Sequence, residues 1–199
     1  MPESLNHPSL TGPGPSTPAS PFPQPFIRHL VPEPIFHTIL TDFFARIYPL
    51  VPLVHRPTFN HKLSLRAYET EPAFYRLCIS LCAVTVASLP RNFASYAGTL
   101  YRDTGELFDR PSNLVWLSRA GSKPSWQNEP SVEQMVESVI LGVAGFYCDR
   151  TGAGWRYAGD AVQCFREMGL YASGAYRGLD AVRAELCKRV FWFLLMVHV

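Results

Sequence analysis

"FYRLCISLCAVTVASL", residues 74–89, settles how the rest of the chain is read. Its apolar residues fall on nearly every side of a helix rather than on one stripe, which predicts a central helix buried all round. Pro72 fits the first turn of such a helix. Pro90 stops it, because proline has no N–H to donate and its ring blocks the preceding turn.

A central helix needs others around it, and the flanking sequence supplies them. Upstream, Ile35, Phe36, Ile39, Leu40, Phe43, Phe44 and Ile47 recur at helical spacing after Pro34, with Asp42 and Arg46 on the other side, until Pro49 ends the run. Downstream, Ser95 to Phe108 forms an amphipathic pattern with Tyr96, Leu100, Tyr101 and Leu107 on its apolar side. The stretch "DRPSNLVWLSRAGSKPSWQNEP", residues 109–130, reads mostly as loop. Ser131 with Gln134 three residues on is a capping box, and Val132, Met135, Val136, Val139, Ile140 and Val143 follow at helical spacing. "DRTGAG", 149–154, is a turn before a helix from Trp155 to Met168, and Gly169 suits the left-handed position after it. "GAYRG", 174–178, is a loop, and a last helix runs from near Leu179 to Val199. Strand-like alternation is scarce. The expected fold is all-α, an irregular multi-helix bundle.

Between the first two helices lies "YPLVPLVHRPTF", Tyr48 to Phe59. Pro49, Pro52 and Pro57 hold this segment extended and bias the residues before them away from helix. Leu50, Val51, Leu53 and Val54 are apolar, so the segment is expected to lie on the bundle as a strap. Its rigidity lowers the entropy cost of an apolar connection. Thr58 reads as a helix cap, with a short helix over His61 to Tyr68. His55 with Arg56 could bind an anion. The plainer expectation is a backbone hydrogen bond for His55 and a local ion pair for Arg56.

Residues 1–29 contrast with all this. "PSLTGPGPSTPASPFPQP" is dominated by Pro, Ser, Gly and Thr, too poor in apolar groups to offset the entropy of ordering, and reads as a disordered linker before a domain over 30–199. A linker at an N-terminus implies a further module upstream.

The 199 residues are 47% hydrophobic and 17% charged, enough for a sizeable core, and the formal net charge of +2 is too small for a nucleic-acid surface. No run reaches the roughly 20 apolar residues that span a bilayer, so no membrane partner is expected. The N-terminus lacks the basic and apolar regions of a secretory signal. The five cysteines, Cys78, Cys82, Cys148, Cys164 and Cys187, lie in helix-like surroundings with no Cys-x-x-Cys pair. They point to an intracellular protein with reduced thiols, and Cys78 and Cys82 read as small buried hydrophobes.

Catalytic signatures are lacking. There is no P-loop, no Gly-x-Gly-x-x-Gly opening a helix, no Gly-x-Ser-x-Gly elbow and no His-Glu-x-x-His, so an enzyme is not expected. Glu129, Glu133 and Glu137 share one face near a helix start, where a solvated acidic face is expected. Trp155 and Tyr157 open a helix in which small Gly159 and Ala161 would let a neighbour approach. A tight helix–helix contact is the plainer reading and an aromatic wall of a small-molecule pocket the sharper one.

Three stretches in order, "YPLVPLVHRPTF" (48–59), "GWRYAGDAVQCFREMGLY" (154–171) and "AELCKRVFWFLL" (184–195), resemble the fungal-specific transcription factor domain, the middle homology region of fungal zinc-cluster regulators. The motif positions are Pro49, Pro52, His55, Arg56, Pro57, Phe59, Trp155, Tyr157, Gly159, Gly169, Phe191 and Trp192. The resemblance implies a nuclear regulatory domain controlling RNA polymerase II transcription, thought to restrain activation and in some members to respond to a small-molecule effector. It also implies DNA binding through an N-terminal cluster in which six cysteines hold zinc. This chain has no cysteine before Cys78, so no cofactor is expected in it, and DNA contact requires the missing module. The family domain continues past its Phe-Trp motif, here Phe191-Trp192, so the chain is expected to be a C-terminally incomplete fragment or a shortened product. An alternative is a free-standing interaction module that forms a homo- or heterodimer and inhibits a full-length regulator. Apolar surface around Phe191, Phe193 and Leu194 would then seek a partner.

Overall fold

The computed structural model describes residues 27–97, 100–122 and 129–198. Of the expected linker, residues 1–26 lie outside the described residues. Eight α-helices and several short 3-10 turns make up the described part, with no strand among them. They are α1 (Glu33–Asp42), α2 (Arg56–Ser64), α3 (Pro72–Ser88), α4 (Phe93–Ala97), α5 (Thr104–Ser122), α6 (Val132–Tyr147), α7 (Thr151–Glu167) and α8 (Ala181–His198).

Helix α3 is the axis. It is buried on every face and packs against α1, α5 and α6. Two of its buried hydroxyls avoid a desolvation cost by donating back to the preceding turn, Ser80 Oγ to the Arg76 carbonyl at 2.8 Å and Thr85 Oγ1 to the Leu81 carbonyl at 2.7 Å. α1 lays Phe36, Ile39 and Leu40 on α3 and continues as a π-helical turn over Phe43–Ile47.

The strap follows. Val51, Leu53 and Val54 are buried, as expected for a segment lying on the core, whereas Leu50 is 72% exposed. α2 begins at Arg56, not after Thr58, because His55 takes the extended capping position and Pro57 needs no N–H partner in the first turn. α2 ends at Ser64, before left-handed Arg66 (φ 52°) and a 3-10 turn over Ala67–Glu69.

The largest departure is α5. The expected helix over 95–108 is instead the short α4 and the start of α5, and α5 runs on through Pro111 to Ser122, where a loop was expected. Phe108, Ser112, Val115 and Arg119 recur at i, i+4, i+7, i+11, and all four are buried. The packing of that stripe outweighs the proline's lost hydrogen bond.

α6 starts as expected, the Gln134 N–H donating to Ser131 Oγ at 3.1 Å. α7 starts at Thr151, four residues before Trp155, after a turn through left-handed Asp149 (φ 56°). The close approach between α6 and α7 lies at Gly145 and Gly154, not at Gly159. A Cβ on Gly145 would sit 2.9 Å from the Gly154 nitrogen, whereas one on Gly159 would meet nothing within 4 Å. Gly169 is left-handed (φ 66°) after α7. Among the described residues no single helix is long and apolar enough to cross a membrane.

Candidate functional site

The strap and α2, the start of α3, and the N-terminal turns of α6 and α8 enclose a cleft of about 580 Å³. Its apolar walls are Leu53 and Val54 of the strap, Phe59 of α2, Phe74 and Leu77 of α3, Val132 and Val136 of α6, and Val182 and Leu186 of α8. Phe59 is fixed between two rings, 5.2 Å from Phe44 and 5.1 Å from Phe74. Two ion-pair sets edge the opening. Lys62 of α2 meets Glu71, and Arg183 of α8 meets Glu133 of α6 at 2.6 Å and Asp180 at 3.7 Å. Arg189 Nη1 donates to the Pro52 carbonyl at 2.8 Å, tying α8 to the strap. The cleft walls therefore meet through side chains of four separated segments.

Behind the cleft sits a buried charge cluster. Glu137 of α6 also lines the cleft yet is 0% exposed. Arg76 Nε of α3 donates to both of its carboxylate oxygens at 3.1 and 3.2 Å. Arg119 of α5 donates to Oε2 through Nε at 3.2 Å and Nη2 at 3.1 Å. The same Nη2 reaches the Gln134 carbonyl at 3.0 Å and Ser138 Oγ at 3.1 Å. Burial pushes the Glu137 carboxyl above the ordinary carboxylate range, and the two guanidiniums pull it back. The expected solvated face of Glu129, Glu133 and Glu137 is thus corrected. Glu129 is exposed and Glu133 half-buried near the helix start, but Glu137 is the pin that joins α3, α5 and α6.

A family model described as the fungal specific transcription factor domain matches residues 40–198. The chain belongs to this family. It is also similar to "Transcription factor macR" of Penicillium terrestre, 23% identical over 192 residues that take in 87% of this chain and 22% of that protein. The chain therefore spans about a fifth of the length of that curated relative. No solved structure matches. The family is one of transcription factor domains.

Within this transcription factor domain the twelve motif positions separate into three places. Pro49 and Pro52 shape the strap, and His55 and Phe59 line the cleft, with His55 Nδ1 2.7 Å from Thr58 Oγ1 rather than on the backbone. Pro57 opens α2, and Arg56 lies over the Phe44 ring at 5.3 Å in place of the expected ion pair. On α7, Tyr157 is buried with its hydroxyl 2.8 Å from Ser112 Oγ, and Trp155, 51% exposed, packs edge-on to Phe146. Neither lines the cleft, so the aromatic-wall reading of α7 has no support there. Gly159 faces open space and Gly169 closes α7. Phe191 and Trp192 lie on an exposed α8 ridge with Leu195 and Met196, and Leu194, expected on that surface, is buried.

Sequence reasoning missed Lys62, Glu71, Arg183 and the Arg76–Glu137–Arg119 cluster. One signal was available: Arg76 interrupts an otherwise apolar helix, and Glu137 falls in line with Ile140 and Ala144.

Proposed function

We propose that the chain is the regulatory domain of a fungal zinc-cluster transcription factor, acting in the nucleus on RNA polymerase II transcription. It catalyses no reaction itself. The observation that carries this is the family match across residues 40–198, on a chain that folds as a helical bundle. DNA and zinc binding belong to a separate module. This chain's own thiols do not fit a zinc cluster: all five are buried, and burial pushes Cys148, Cys164 and Cys187 up to about 11, against the thiolate that zinc requires. Among the described residues no three potential metal ligands come together.

The domain restrains an attached activating segment. The exposed ridge of Phe191, Trp192, Leu195 and Met196 favours a second role, dimerisation with another regulator. One experiment tests the restraint. The chain is inserted between a heterologous DNA-binding module and an activation segment, and reporter transcription is compared with the same fusion lacking it. Restraint predicts lower output with the chain present. Equal output would overturn it.

A further inference from the structure

We propose that the cleft between the strap, α3, α6 and α8 binds an uncharged, largely apolar small molecule. The proposal rests on the regulatory reading for its biological purpose but not for its chemistry. Its volume of about 580 Å³ matches clefts that hold small organic ligands, ~300–1,000 Å³. Apolar side chains from four segments face one another across it, and such surfaces favour an apolar occupant.

The charges decide the class. Both lining cations are engaged: Lys62 faces Glu71, and Arg183 faces Glu133 and Asp180. A ligand carboxylate or phosphate would have to break one of these pairs and approach the remaining acids. A ligand cation would meet carboxylates already paired, and Glu137 is claimed from behind by Arg76 and Arg119. An uncharged ligand disturbs none of these. His55 lines the cleft with Nδ1 engaged by Thr58, so its other ring nitrogen can give one directional hydrogen bond. His55 also borders the adjoining hollow of about 240 Å³ along α8, where a longer ligand would extend.

The test uses two fluorescent probes that share a ring system, neutral N-phenylnaphthylamine and its anionic sulfonate, titrated into the 199-residue chain. Saturable one-to-one binding of the neutral probe is expected, with the sulfonate about tenfold weaker or worse. Ala73→Trp and Val182→Trp fill the cleft from opposite walls, and each should weaken the neutral probe about tenfold while the melting transition persists. Trp192→Ala, on the α8 ridge, should leave binding unchanged. Two variants on different elements keep the test informative if one fails to fold. Equal affinity for both probes would overturn the charge argument. Unweakened binding in the filled variants, or binding lost in Trp192→Ala, would mean a protein-docking ridge instead. Probe binding without reporter restraint would contradict the regulatory reading alone, and restraint without probe binding would contradict the ligand alone.

Discussion

Glu137 carries the largest electrostatic stake of any single side chain described. A buried carboxylate is tolerable only while charged hydrogen bonds replace its water, and Arg76 and Arg119 supply them. Glu137→Ala leaves two core guanidiniums without their shared carboxylate and should cost about 3–5 kcal/mol in urea unfolding. Tyr75 shows the opposite case. Its hydroxyl is buried and has no hydrogen-bond partner among the described residues. Tyr75→Phe should therefore leave stability unchanged or raise it by up to about 1 kcal/mol in the same assay. Tyr75 was not legible in the sequence. Glu137 repeats the i, i+4 spacing of Glu129 and Glu133, which reads as a solvated face, and its alignment with Ile140 and Ala144 was the one signal that it turns inward. His55 was legible as a position of interest, because a polar pair near the end of an apolar, proline-locked segment must be placed against something. What it is placed against depends on α8, 126 or more residues later.

At the scale of elements, propensity and packing compete openly. The α3 apolar run, the Ser131 cap and Gly169 were legible because each rests on local chemistry: all-round hydrophobicity, a side-chain oxygen three residues before an N–H, a left-handed residue after a helix. α5 was not, since Pro111 and the polar residues around it argue for loop, and the stripe of Phe108, Ser112, Val115 and Arg119 wins only once α3 and α6 are there to bury it. The α6–α7 contact was legible in kind and not in place. Gly145→Ala should destabilise by about 1–3 kcal/mol, because its Cβ would press on the Gly154 backbone. Gly159→Ala, in a helix interior with open space around it, should stabilise by about 0.5–1 kcal/mol. Thermal unfolding of the two variants would check the opposite signs. At the start of α5, the Glu106 N–H donates to Asp103 Oδ1 at 2.8 Å and holds that carboxyl below the ordinary range. A depressed carboxylate adds stability above its unfolded pKa of about 4 and loses it as pH falls through the lower folded value. The hydrogen bond to Arg66 does the same for Glu33. The melting temperature should drop as pH is lowered below about 4, and less steeply in Asp103→Ala.

Across the whole molecule, one cluster and one strap set the architecture. The Arg76–Glu137–Arg119 cluster locks α3, α5 and α6 together, and α8 packs on that centre through buried Cys187, Val190 and Leu194, with the Arg183–Glu133 pair at the surface and Arg189 tying it to the strap. The cleft opens between that centre and α8, so whatever fills it bears on the element that also carries the Phe191–Met196 ridge. The fold class was legible from helical periodicity, and the family because three motifs stand in order along the chain. The cleft was not, because its walls come from residues 53 to 186 and no one segment announces them. On the proposed reading the folded bundle, rather than mere linker length, restrains an activating segment. Reporter transcription from a fusion carrying Glu137→Ala, set against the wild-type chain and against the fusion without it, tests this most directly. The account predicts low output for the wild type and, for Glu137→Ala, output close to that of the fusion without the chain. Equal restraint by the wild-type and Glu137→Ala chains, with the variant shown to be unfolded, would contradict it.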